Sequence, residues 1–358
     1  MQAIIGERYG GPEVLASREI ERPALGERDV RVRVHAAGLH IGDVFGMRGS
    51  PFPVRFSSGL RQPKLGVPGF DIAGTVEATG RAVTRFALGD QVFGVCAWPS
   101  SGACAELARA SEDGLVRKPA GLSFEQAAAI PTSASAALHG LRDAGRLRAG
   151  QKVLINGASG GVGTYAVQIA RALGAEVTAV CGPANGELVR SLGAHHVIDY
   201  TREDFTRGTA RYDLILDNVE NHSLADCRRA LVPGGTLVLN SGTGAGGLRL
   251  LVRLVRPVVM SPFVKHDLRR YVSNPNREDL EVLVSMVERG DVRPVIDSTW
   301  PLSETPAALR HIEAGHARGK VVVVIDGREA SAAGSAVEAG AEAGASVVPG
   351  APAAGAVR

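Results

Sequence analysis

Val153-Leu154-Ile155-Asn156-Gly157-Ala158-Ser159-Gly160-Gly161-Val162-Gly163 is the stretch that decides the fold class. Three aliphatic residues in a row read as a buried strand, and Val162 to Leu173 reads as a helix, with only a glycine turn between them. Strand, glycine turn and helix in that order open a βαβ unit. Glycines let backbone amides approach an anion closely, and the helix N-terminus adds orphan N–H donors and roughly half a positive charge. A glycine turn alone is a weak signal, because any tight strand-to-helix connection is often glycine-rich. The βαβ context makes dinucleotide binding the reading, through Ser159, Gly160, Gly161, Val162 and Gly163.

Outward from this loop, strands continue to alternate with helices. Strands are expected at Glu176–Cys181, His196–Ile198, Leu214–Leu216 and Thr236–Leu239, and a helix at Glu187–Leu192. The alternation predicts an α/β fold with a Rossmann-type, doubly wound parallel sheet. The first hundred residues differ: β-branched runs such as Val30-Arg31-Val32-Arg33-Val34 and Thr75-Val76-Glu77-Ala78 alternate apolar with polar and are separated by Gly and Pro. That pattern predicts half-buried strands of a β-rich domain. Helical segments follow at Phe124–Ile130 and Ala134–Leu141, and a helix at Arg277–Arg289 with a strand at Lys320–Ile325 returns the chain to the first domain. The expected layout is a discontinuous β-rich domain, 1–126 plus 274–328, around a dinucleotide-binding domain at 127–273. The Ala/Gly-rich residues 329–358 read as a disordered tail.

Composition narrows the function. The chain has 358 residues, 45% hydrophobic and 22% charged, enough for about two domains with real cores. Forty basic against 37 acidic residues leave +3, no field for nucleic acid. Cys96, Cys104, Cys181 and Cys227 are scattered without a CxxC pair, so neither a disulfide framework nor a zinc ribbon is indicated. No signal-peptide pattern follows Met1, and no run of 18 apolar residues occurs. A reducing, cytoplasmic location without a membrane span is expected.

The end of the second strand of the unit selects the dinucleotide. NAD sites usually hold the ribose 2′-OH with an acid there, whereas this chain has Cys181-Gly182-Pro183-Ala184-Asn185. Nothing in that run repels a 2′-phosphate, so NADPH is expected over NADH. Cys181, Asn185 and, after the next strand, Tyr200 are the candidate contacts, with Arg190 one helical turn on.

Further motifs now carry a family resemblance: Ala36-Ala37-Gly38-Leu39-His40-Ile41-Gly42-Asp43, Pro68-Gly69-Phe70-Asp71-Ile72-Ala73-Gly74, Gly89-Asp90-Gln91-Val92-Phe93-Gly94, Leu192-Gly193-Ala194 with Val197-Ile198-Asp199-Tyr200, and Gly319-Lys320-Val321-Val322-Val323. Together with the glycine loop they resemble the medium-chain dehydrogenase/reductase superfamily, in its zinc-free branch of quinone oxidoreductases, zeta-crystallins and enoyl reductases. The resemblance covers about residues 1–328. It implies a GroES-like catalytic domain around the Rossmann-type domain, with the active site in the cleft between them. Where zinc-dependent relatives place Cys and His-Glu ligands, this chain has Leu39-His40 and Phe70-Asp71, so no zinc is expected.

The resemblance also implies site residues. His40 stands where zinc-free relatives usually have Asn beside the nicotinamide, and is the catalytic candidate, holding the carboxamide or donating a proton; a packing histidine bonded to backbone is the alternative. Ile41 stands where related enoyl reductases have a Tyr donor, which leaves solvent as a proton source. Asp43 reads as a loop-holding residue. Asn218, Asn240, Ser241 and Gly242 follow strand ends and face the ribose and nicotinamide, Lys320 reaches the cofactor from the returning segment, and Thr132 is a weaker candidate.

The implied function is NADPH-dependent hydride transfer to a quinone or to the C=C bond of an α,β-unsaturated carbonyl. An NADPH-binding sensor with little turnover and an alcohol dehydrogenase are the alternatives. Residues 248–264, with Arg249, Arg253 and Arg256 at helical spacing, read as a lid or subunit contact, or as an interfacial helix making peripheral contact with an anionic membrane. Relatives often dimerise through the edge of the cofactor-domain sheet, so a homodimer is expected.

Overall fold

The computed structural model describes residues 1–64, 66–97, 102–240, 257, 259–261, 264–315 and 317–325. Expectations for the tail, for Ser241 and Gly242, and for nearly all of 248–264 lie outside the described residues.

Strands are numbered β1 (Gln2–Gly6), β2 (Leu15–Glu19), β3 (Asp29–Leu39), β4 (Asp71–Thr79), β5 (Gln91–Val95), β6 (Leu107–Ser111), β7 (Leu115–Arg117), β8 (Lys152–Asn156), β9 (Glu176–Cys181), β10 (His196–Asp199), β11 (Tyr212–Asp217), β12 (Leu231–Leu239), β13 (Asp267–Arg270), β14 (Ile296–Pro301) and β15 (Lys320–Val324). Helices are α1 (Ile41–Arg48), α2 (Val54–Ser58), α3 (Phe124–Ala128), α4 (Pro131–Leu138), α5 (Gly161–Ala172), α6 (Gly186–Ser191), α7 (Leu224–Arg229), α8 (Arg277–Glu288) and α9 (Thr305–Glu313).

Six strands form a parallel sheet in the order β10-β9-β8-β11-β12-β13. Counted from β8 this is the 3-2-1-4-5-6 order of the doubly wound dinucleotide fold. Val153, Leu154 and Ile155 of β8 are wholly buried, as a central parallel strand covered on both faces requires. The order reverses between β8 and β11, and the glycine loop leaves β8 at that switch point, where such sheets bind ligands. The outermost strand β13 escapes sequence reading: three of its four residues, Asp267, Arg269 and Arg270, are charged, so no apolar run marks it.

The second sheet is mostly antiparallel, ordered β14-β15-β3-β4-β5-β7, with β6 also on β3. In β3, Val30, Val32 and Val34 point into the core while Arg31 and Arg33 do not, which is the alternation of a half-buried strand. Lys320 to Val324 are all buried, and β15 runs antiparallel to β3 with Val321 opposite Leu39. The return of the chain thus ends in the middle of the sheet that its first hundred residues build. Helix α8 buries Leu280, Leu283 and Met286 in the core that also holds Val153, Ile155 and Tyr165.

The expected helix Ala134–Leu141 begins earlier, at Pro131, whose missing N–H suits a first helical position. It then widens at His139–Ala144 into a π-helical turn, where Gly145 donates to the Gly140 carbonyl at 2.9 Å.

Candidate active site

Gly157 adopts a left-handed φ of +77° to turn the chain off β8. A Cβ on Gly163 would lie 2.1 Å from the Gly157 carbonyl oxygen, so only glycine lets α5 start this close to the turn. Gly160 is the N-cap of α5 and leaves its first amides without side-chain partners. Gly160 also bridges Gly319, just before β15. A Cβ on Gly161 would lie 3.4 Å from the Gly319 carbonyl oxygen and 3.5 Å from Lys320 Cδ. The glycine loop and the returning segment are therefore in direct contact.

Around the end of β9, Asn185 donates to Ser159 Oγ at 3.1 Å, while Asn185 Oδ1 is buried without a partner among the described residues. The exposed Tyr200 ring lies 3.5 Å from a Cβ built on Gly182. Ser159, Asn185 and Tyr200 are thus gathered at one turn. Cys181 is not part of that group: its side chain is buried in the core, with its thiol pKa raised by burial, and only its backbone faces the turn. The Arg190 guanidinium is held by Glu187 at 2.8 Å.

At the switch point Asn156 donates to Asp217 at 2.8 Å and to Asn221 at 3.0 Å. Asp217 Oδ1 also accepts the Val219 and Glu220 amides at 3.1 and 2.8 Å. Buried Asp217 therefore shapes the turn, and Asn218 is left to line it. Asn218 donates to the Asn156 carbonyl at 3.1 Å and accepts from Asn240 at 2.8 Å, so both asparagines stand beside the glycine loop.

The other wall comes from the second sheet. Lys320 and Asp71 are both essentially inaccessible, and Lys320 Nζ lies 3.4 Å from Asp71 Oδ2. Asp71 Oδ1 accepts from both the amide (3.1 Å) and the hydroxyl of Thr132 at the start of α4. Burial pushes the Asp71 carboxyl pKa up, and Lys320 and Thr132 pull against it. Lys320 Nζ is thus engaged with Asp71 beside the glycine loop, and the Thr132 hydroxyl with the same carboxylate. Asp71 is the residue that sequence reasoning missed as a partner. Its signal was present only as the Asp of Pro68-Gly69-Phe70-Asp71, with nothing to show which cation, 249 positions away, would meet it.

His40 follows β3 and caps α1. Its Nδ1 accepts the Gly42 amide at 3.0 Å, its backbone N–H donates to Asp43 at 2.8 Å, and its ring stacks on Phe70 at 5.2 Å. Because Nδ1 accepts, the ring proton sits on Nε2. That Nε2–H is buried without a partner among the described residues. Burial, with the nearby Lys320 charge, lowers the His40 pKa to about 3, so the ring is neutral. Asp43 also accepts the Gly69 amide at 3.0 Å, which is the loop-holding role expected of it; burial raises its pKa to about 7.

A catalytic zinc needs three available side chains and an open position. His40 Nδ1 is occupied by an amide and Asp71 by an ammonium and a threonine. Among the described residues no three His, Cys, Asp or Glu side chains cluster as a metal site.

Two family models match the chain: the alcohol dehydrogenase GroES-like domain over residues 26–170 and the zinc-binding dehydrogenase over 192–323. The quinone oxidoreductase of Pseudomonas aeruginosa is 33% identical over 333 residues, covering 88% of this chain and 97% of that protein. The chain belongs to the quinone oxidoreductase branch of the medium-chain dehydrogenase/reductase family. It is an oxidoreductase of that branch. The mitochondrial NAD(P)H oxidoreductase RTN4IP1 of Danio rerio is 32% identical, covering 91% of each chain. The spectinabilin polyketide synthase system protein NorB of Streptomyces orinoci is 36% identical over 306 residues, 84% of this chain but 13% of NorB. The solved quinone oxidoreductase of Coxiella burnetii superposes with a TM-score of 0.80 at 30% identity, over 91% of this chain and 99% of that one. No described helix is long and apolar enough to cross a membrane.

Proposed function

We propose that this NAD(P)H-dependent oxidoreductase uses NADPH to reduce a quinone, or the C=C bond of an α,β-unsaturated carbonyl, without a metal. The observation that carries the reading is the buried, unpartnered Nε2–H of a neutral His40 on the sheet whose strand β15 begins at the glycine loop. When bound, the dinucleotide supplies the hydride from its nicotinamide. The amides of Ser159 to Gly163 and the N-terminus of α5 hold the pyrophosphate. The turn at Gly182–Asn185, free of carboxylates, leaves the 2′-phosphate unopposed, with Asn185 and Tyr200 beside it. Asn218 and Asn240 offer amide groups on the nicotinamide side.

His40 Nε2–H then donates to the oxygen on which negative charge builds up. A neutral ring that released this proton would become an imidazolate, so His40 acts as a hydrogen-bond donor and water delivers the proton. Removing such a donor from a dry site typically costs ~10²–10³ in rate.

The test is NADPH oxidation by the purified chain against a benzoquinone, a naphthoquinone, an alkyl vinyl ketone and an aldehyde, repeated with NADH. Turnover of quinone or enone, faster with NADPH, is the expected result. Tight NADPH binding without turnover of any acceptor would return the sensor reading, and aldehyde reduction restored by added zinc would return the alcohol dehydrogenase.

A further inference from the structure

Between Asp43 and Asp71 the sequence carries Arg48, Arg55, Arg61 and Lys64 and not one Asp or Glu. Arg48 is taken by Glu313. Arg55 lies over the Tyr9 ring at 4.5 Å and the Phe52 ring at 6.0 Å. Arg61 and Lys64 are exposed and make no ion pair among the described residues. The same stretch exposes Phe52 by 59%, Phe56 by 69% and Leu60 by 58%. No other described phenylalanine is exposed.

This is a built surface. Tyr9 donates its hydroxyl proton to the Gly59 carbonyl and contacts Ser58 Oγ at 2.8 Å, while Arg55 donates to the Gly49 carbonyl at 2.9 Å. Those ties fix α2 at both ends, and Phe52 and Phe56 meet edge to face at 5.6 Å on its outer side. Beneath it, a narrow hollow of about 50 Å³ is lined by Ser58, Pro63 and Lys64 at one end of the stretch and by Gly69 and Phe70 at the other. Phe70 is the ring against which His40 stacks.

We propose that this face binds the surface of an anionic lipid bilayer, with Phe52, Phe56 and Leu60 entering the acyl boundary and Arg55, Arg61 and Lys64 meeting headgroup phosphates. Aromatic and aliphatic tips ringed by cations, with no acid in the stretch, match that occupant. A second copy of the chain would bring the same cations face to face, which disfavours self-pairing. The inference deepens the proposed function, since a lipophilic acceptor resides in the bilayer, but its test reads binding and not turnover.

The experiment is co-sedimentation of the full chain with phosphatidylcholine vesicles, and with vesicles in which about a third of the lipid is phosphatidylglycerol, at low and high salt. The wild type is expected to sediment with the anionic vesicles only, and less at high salt. The Phe52→Ser/Phe56→Ser pair and the Arg61→Glu/Lys64→Glu pair should each weaken binding by roughly tenfold or more. Both variants should keep the wild-type unfolding midpoint and NADPH affinity, which shows that they are folded. Failure of the wild type to bind anionic vesicles overturns the proposal, as does binding unchanged in both folded variants. A solution dimer that the phenylalanine variant converts to monomer also overturns it, because the face is then a contact between copies.

Discussion

The two walls of the cleft are built by opposite means. The glycine loop works through backbone: its amides and the start of α5 are set by position, and its side chains matter mostly by being absent, as Gly163 against the Gly157 carbonyl shows. The facing wall works through buried side chains, with Asp71, Lys320 and Thr132 each held by a partner from another element and His40 held by the helix it caps. The first wall is local in sequence and tolerant of what surrounds it. The second is non-local and brittle, because burying charge is tolerable only while every partner is present.

The strongest challenge to this contrast is Asp71→Ala, which leaves the Lys320 ammonium buried without a counter-charge. It should cost about 3–5 kcal/mol in stability, read by denaturant unfolding. Asp71→Ala with Lys320→Met removes both charges and should recover most of the stability. If the single variant unfolds like the wild type, Asp71 and Lys320 are not a working pair.

Next comes Gly163→Ala. Its methyl group would have to displace backbone, the Gly157 carbonyl, for about 2–3 kcal/mol, with a larger loss in NADPH affinity than in stability. Equal loss of both would mean that the loop is only a structural turn.

These two variants also mark what was readable in the chain. The doubly wound sheet was legible because Val153-Leu154-Ile155, Gly157 to Gly163 and Glu176 to Cys181 each announce their role within a few residues. Ser159, Asn185, Tyr200, Asn218 and Asn240 stand at loop or strand ends that such local patterns mark, and the structure gathers them beside the loop or the strand ends. Strand β13 was hidden because an edge strand built of Asp267, Arg269 and Arg270 buries too little to leave a pattern. The Asp71–Lys320 pair was hidden because pairing across 249 positions depends on register, here Leu39 opposite Val321 and Gly38 opposite Asp71. The Thr132 bond to Asp71 and the inward packing of Cys181 depend on the same tertiary arrangement, which no local run of residues shows.

His40→Ala comes third and tests the facing wall as chemistry and not as structure. Loss of the Nε2–H donor should lower kcat roughly 10²-fold, and loss of the Nδ1 cap on α1 should cost about 1 kcal/mol in stability. The pH dependence sharpens it. With its pKa at about 3, His40 stays neutral in the native protein, whereas in the unfolded chain it protonates near 6.5. Between those values the unfolded state holds the extra proton, so this residue takes stability away as pH falls below 6.5 and has no effect above it. The kcat profile should therefore lack an imidazole inflection near 6.5, and His40→Ala should lower it by the same factor across neutral pH. An inflection near 6.5 that disappears in His40→Ala would make the histidine a proton donor instead.

The smallest expected change returns to the loop side, where the proposed preference for NADPH is tested at Gly182. Gly182 has φ −74° and ψ 160°, an extended conformation open to any residue, and a Cβ there meets the Tyr200 ring at 3.5 Å, an ordinary contact. Gly182→Asp should therefore fold normally while placing a carboxylate at the end of β9, where it repels a 2′-phosphate and accepts from a ribose hydroxyl. About tenfold in the ratio of kcat/KM for NADPH over NADH is expected, close to 1.4 kcal/mol, with the acceptor held constant. A fall for both dinucleotides together would mean that the carboxylate disturbs the turn, and an unchanged ratio would move the 2′-phosphate away from Asn185 and Tyr200. Only a loss confined to NADPH shows that the backbone-built wall carries its specificity in one missing side chain.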